Sequence, residues 1–148
     1  MKTMFDKATR DELISRINTL KETSVAQWGK MNVYQMLKHC VLWEEWISSG
    51  QKNKQVFIGR LFGKMALKNV LKDNKPLRRN TPTIPELIIK ESSGNITVEK
   101  RKWIAHIEGY ANFLNPGFVH TFFGKMTEEQ IGYLAYKHTD HHLRQFNS

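Results

Sequence analysis

Three histidines of this chain can share one metal ion if the helices that carry them pack side by side. His138 and His142 stand four apart in the stretch Lys137-His138-Thr139-Asp140-His141-His142-Leu143-Arg144-Gln145-Phe146, so on an α-helix one lies a turn above the other on the same face. His39 sits in a separate amphipathic segment. Three neutral imidazoles suit zinc, nickel, iron or copper, and three ligands leave positions open for water or substrate, unlike a closed four-ligand structural site. The chemistry expected of such a site is Lewis-acid catalysis, activating water or a thiol or polarising a substrate group.

Helical phase sorts the histidines. With His138 set at zero, Ile131, Leu134, His142 and Gln145 fall within about 40° of it, and His141 lies about 60° to one side. His138 and His142 are therefore the metal ligands of this helix. His141 is a candidate general base or hydrogen-bond donor to the site, and Gln145 a residue that orients a ligand or contacts substrate. Asp140 points away. Thr127-Glu128-Glu129-Gln130 is a capping box that starts this last helix.

The partner helix begins at Asn32, which can cap it with Gln35 at the third helical position. Gln35, Met36, His39, Leu42, Trp43 and Trp46 share a sector of roughly 120°. His39 thus points inward as the third ligand, and Trp43 and Trp46 can line an apolar pocket. Cys40 lies about 100° round the helix and reads as a buried or interface thiol. His39 falls about 9 Å into its helix, and the His138/His142 pair is about as far from the end of the last one, so antiparallel packing brings them level.

Elsewhere, Thr9-Arg10-Asp11-Glu12 reads as another capping box, with a first helix from about Arg10 to Glu22 burying Leu13, Ile17 and Leu20. Between Ser48 and Gly94 the regular pattern breaks. Ile58, Leu61, Phe62 and Met65 suggest a short inserted helix whose apolar side covers the bundle or a partner subunit. Arg60, Lys64, Lys68 and Lys72 recur every four residues along its other side. That stripe is either a solvated face or a patch for nucleic acid or an anionic membrane, and no base-stacking aromatics accompany it. Pro76, Pro82 and Pro85 mark an extended crossover. A third main helix from about Thr97 directs Ile104, Ile107, Ala111 and Leu114 inward and stops at Asn115-Pro116-Gly117, with His106 on its flank. The apolar loop Phe118 to Met126 folds over one end of the bundle, where His120 is a fourth ligand, a substrate contact or a packing residue.

Composition bounds these readings. The chain has 148 residues, 40% of them hydrophobic, which fits one globular domain spanning 1–148. One cysteine excludes an intrachain disulfide and a cysteine-rich zinc finger, and favours the cytoplasm. No leader pattern or membrane-length apolar run is visible. The net charge of +9 is local: residues 51–80 hold nine Lys or Arg against Asp73 alone, leaving 14 basic and 13 acidic residues elsewhere.

A histidine early in the second of four main helices, a long connection to the third and a His-x-x-x-His pair in the fourth resemble the DinB-like (YfiT-like) superfamily. The strings Trp28-Gly29-Lys30-Met31-Asn32, Gln35-Met36-Leu37-Lys38-His39-Cys40 and Phe122-Phe123-Gly124-Lys125-Met126-Thr127 look like an uncharacterised bacterial branch of it. The resemblance implies an all-α four-helix bundle with an extra short helix in the crossover, a homodimer, and a divalent metal held by His39, His138 and His142. It also implies a hydrolase or a transferase of a low-molecular-weight thiol, acting on a small molecule. The alternative is a non-catalytic protein whose basic 51–80 segment contacts nucleic acid, membrane or protein.

Overall fold

The computed structural model of the chain describes residues 1–51 and 53–148. Among the described residues there are five α-helices, α1 (Lys7–Thr19), α2 (Val33–Ser48), α3 (Phe57–Val70), α4 (Ile96–Gly109) and α5 (Glu128–Gln145). Strands β1 (Val119–His120) and β2 (Gly124–Lys125) form a two-stranded antiparallel ladder between α4 and α5. The class is all-α, with a small hairpin that periodicity did not reveal.

Helices α1, α2, α4 and α5 close a ring of contacts, α2 on α4, α4 on α1, α1 on α5 and α5 on α2. Leu13 and Ile17 of α1, Met36, Leu37 and Ile47 of α2, Trp103 and Ile107 of α4, and Ile131 and Leu143 of α5 are fully buried between them. The ends of the site-bearing helices are set locally. Asn32 accepts from the Gln35 amide while the Gln35 side chain accepts from the Asn32 amide, and Thr127 and Gln130 repeat the exchange at α5.

The first capping box does not form. Helix α1 starts upstream at Lys7, Thr9 is buried within it, and Glu12 pairs with Lys2 instead. The cause is tertiary. The Met4 amide donates to the Gly132 carbonyl on α5 at 3.1 Å, and Arg10 donates to the carbonyls of Met4 and Phe5, so the chain turns into helix before Thr9. Helix α4 also departs from expectation. It ends at Gly109 and tightens into a 3-10 turn over Tyr110–Asn112, which shifts the phase. Tyr110 takes the inward place, and Ala111 and Leu114 face solvent.

The inserted helix is turned the other way from its apolar pattern. Gly59, Gly63 and Leu67 of α3 are its buried residues, whereas Ile58, Leu61, Phe62 and Met65 are exposed. A side chain at Gly59 or Gly63 would sit well inside contact distance of the Phe122 carbonyl oxygen, so only glycine allows this approach. Gln55 Nε2 bridges the Gly59 and Phe122 carbonyls at 2.8 and 2.9 Å. At the other end Lys137 Nζ donates to the carbonyls of Val70 (2.6 Å) and Lys75 (3.0 Å), pinning α3 to α5. Gly→Ala within a helix normally stabilises by about 1 kcal/mol. Gly63→Ala is expected to destabilise by about 1–3 kcal/mol through overpacking. Urea denaturation reads the sign, and a gain in stability would mean that α3 stands clear of the hairpin.

Candidate metal centre

His39, three residues past the first turn of α2, and His138 and His142, a turn apart on α5, converge. One donor nitrogen from each lies within 4.8 Å of the others. The Nε2 atoms of His39 and His138 are 3.3 Å apart; ligand nitrogens of a tetrahedral zinc at about 2.0–2.1 Å from the metal are separated by about 3.3 Å.

The surroundings fix two of the three tautomers. His39 Nδ1 lies 2.9 Å from the Leu87 carbonyl, which can only accept, so the proton is on Nδ1 and Nε2 keeps a free lone pair. His142 Nδ1 lies 2.9 Å from Gln145 Oε1. Gln145 Nε2 donates to the Trp28 carbonyl at 2.8 Å, so its oxygen faces His142 and that histidine's Nε2 is free as well. His138 lacks such a partner: its Nδ1 is buried without a hydrogen bond, and its Nε2 faces the His39 lone pair. No neutral tautomer satisfies both nitrogens. A cation held by the Nε2 lone pairs takes the place of the Nε2–Nε2 contact and leaves the proton of His138 on its unpaired Nδ1, and three neutral imidazoles with a donor nitrogen each within 4.8 Å of the others fit a divalent metal.

Electrostatics favour the ligating, uncharged form. Burial holds His39 and His138 below the usual histidine range, His138 well below, and His142 is pushed down to about 3. Desolvation is the largest cause in each, and charge on neighbouring histidines adds to it for all three. All three are therefore neutral at pH 7. The indole of Trp43 lies flat on His138, with centroids 4.1 Å apart and planes 13° apart, and dries that side of the site.

The supporting contacts come from distant segments. The crossover runs along α2, where Leu87 ends a 3-10 turn that begins at Pro85, so the extended proline-rich connection supplies the carbonyl that orients His39. The Trp28-Gly29 loop reaches the end of α5 because Gly29 has φ +81° and a side chain there would lie 2.7 Å from Gln145 Nε2. The Gln27 amide donates to the Gln145 carbonyl in the same clamp.

The remaining sequence candidates are spread around this core. His141 is half-buried, edge-on to Trp28 at 5.6 Å and 5.2 Å from the His142 ring, and it borders a cleft of about 880 Å³ with Arg79 and Arg144. Burial lowers its pKa, and the Leu77 backbone opposes that. Trp46 bonds Asn53 and packs edge-on to His120 at 5.0 Å. His120 Nδ1 accepts from the amides of Phe122 and Phe123, so that nitrogen holds the hairpin turn, and burial takes its pKa to about 4. Cys40 is fully buried beside Met36, and Asp140 is committed to Arg16 (2.7 Å) and Arg144 (2.6 Å). His106 lies 3.8 Å from Glu45 at the flank of α4. Among the described residues the one group able to hold a metal is His39, His138 and His142.

Gln145 acts through His142, so Gln145→Leu is expected to weaken metal binding about 10–100-fold. Isothermal titration with zinc checks this, and unchanged affinity would show that His142 needs no orienting partner.

Among the described residues no helix is long and apolar enough to cross a membrane. No curated protein and no solved structure matches the chain. A family model described as "Protein of unknown function (DUF1569)" matches residues 3–148, and the chain therefore belongs to that family.

Proposed function

We propose that this protein is a divalent-metal-dependent enzyme, a hydrolase or a low-molecular-weight thiol transferase, acting on a small molecule at His39, His138 and His142. The observation that carries the reading is the pair of oriented imidazoles, His39 by Leu87 and His142 by Gln145, whose Nε2 atoms are free and which converge with His138 so that one donor nitrogen of each lies within 4.8 Å of the others. A structural zinc site is closed by four protein ligands, whereas three leave room for reactants. Zinc, nickel or iron bound there supplies Lewis acidity.

The chain's own residues do the rest. Leu87 and Gln145 hold the ligand rings in place, and Trp43 excludes water from the His138 face. His141, beside the cleft, is the group placed to carry a proton, and Trp46 and His120 line the apolar side toward the hairpin. The ring of α1, α2, α4 and α5 supports the DinB-type four-helix bundle; the homodimer rests on the family resemblance alone, and the cytoplasm on the single cysteine.

Metal-free and reconstituted protein should be compared on activated esters and on thiol-plus-electrophile pairs. Turnover is expected only with metal, is absent from His138→Ala/His142→Ala, and falls in His141→Ala without loss of metal. Equal rates with and without metal would contradict the reading.

A further inference from the structure

Six of the ten exposed large hydrophobic residues lie between Val56 and Met65. Five of them, Phe57, Ile58, Leu61, Phe62 and Met65, fall within a sector of about 140° on α3, with exposures from 49% at Phe62 to 75% at Phe57. Arg60, Lys64 and Lys68 run exposed along one border of that sector. This is not slack packing. Gly59 and Gly63 press against the Phe122 carbonyl and Lys137 holds the far end, so the helix cannot roll its apolar side inward without breaking those contacts.

The occupant follows from charge. Helix α3 carries no acidic residue, and Asp73 is the one acid in residues 51–80. A second copy docked antiparallel through the same face would set basic row against basic row, and in either orientation α3 offers no carboxylate to answer the cations. A nucleic acid would meet the basic row but leave the large apolar side chains against water or phosphate. An anionic bilayer matches both, taking apolar side chains into the acyl boundary and the flanking cations at its phosphates.

We propose that α3 is a membrane-docking helix that lies in the interface of anionic lipid. This goes beyond the metal chemistry and does not depend on it.

Flotation of the full chain with vesicles tests it, comparing phosphatidylcholine alone with phosphatidylcholine containing about one part in four of phosphatidylglycerol. Binding is expected on the anionic vesicles only and should weaken as salt is raised through about 0.5 M. Leu61→Glu/Phe62→Glu and Lys64→Glu/Lys68→Glu should each reduce partitioning more than about tenfold, with helicity and metal uptake unchanged. No binding to anionic vesicles, or binding unaltered in the Leu61/Phe62 variant, overturns the proposal. So does a dimer in the wild type that Leu61→Glu/Phe62→Glu converts to monomer, because the face would then be a self-interface. DNA binding that needs Lys64 and Lys68 but not Leu61 overturns it equally.

Discussion

Replacing His138 and His142 together by alanine is expected to lower divalent-metal affinity by on the order of a thousandfold or more, because a single imidazole remains of the ligand set. The loss has a second readout. A ligand that binds only the folded state stabilises it by about 4 kcal/mol at a thousand times its dissociation constant, worth on the order of 10 °C in Tm for a chain of this size. Wild-type protein should show that rise on adding zinc. The double variant should show none, although its metal-free Tm will also have moved, since Trp43 loses the ring stacked on it. A zinc-dependent rise of equal size in both proteins would place the metal elsewhere.

The second large effect concerns Glu44, on the side of α2 that faces α4. Its carboxyl is fully buried; Tyr110 donates to Oε2 at 2.7 Å and Oε1 has no partner. Burial pushes its pKa up to about 8, against the smaller opposing pull of the tyrosine hydroxyl. The unfolded chain holds the same carboxyl at 4.5, so between those values the folded state binds more protons than the unfolded. Its contribution is fully present below the unfolded value and is lost as pH rises toward the folded one. The slope is about 1.4 kcal/mol per pH unit at most, a total of a few kcal/mol by pH 8.

Glu44→Gln keeps an acceptor for Tyr110 and removes the titration. Urea denaturation at about pH 5, 6.5 and 8 should therefore show the variant gaining on the wild type as pH rises. The buried histidines act in the opposite direction, since depressed folded-state values make stability rise with pH, and taking the difference between the two proteins cancels them. Parallel profiles would mean that Glu44 is ionised in the folded chain.

The histidines that converge and the elements that carry them were legible because they rest on short-range rules. Four-residue spacing places His138 over His142, and the Asn32/Gln35 and Thr127/Gln130 exchanges close within one turn. The same rule failed at Thr9, where a contact to Gly132 started the helix early. What orients the imidazoles was not legible. Leu87 reaches His39 across 48 residues and Trp28 reaches Gln145 across 117, and a backbone carbonyl leaves no trace in residue type. Gln145 itself stood on the right face, yet its partner depends on how the Trp28-Gly29 loop closes.

Helix α3 shows the limit of periodicity most clearly. Its apolar stripe is visible in the sequence, and of the two covers it suggests, the bundle or a partner subunit, the exposure of Ile58, Leu61, Phe62 and Met65 removes the first. The glycines four apart at Gly59 and Gly63 were the contrary signal, because they mark the side of closest approach. Lys137 was equally silent, a lysine adjacent to His138 whose ammonium is spent on the carbonyls of Val70 and Lys75.

The central claim is tested most directly by elemental analysis of tag-free protein reconstituted with zinc, nickel or iron and then desalted. About one metal ion per chain is expected. Protein that retains no metal after reconstitution, while remaining folded, would contradict the account.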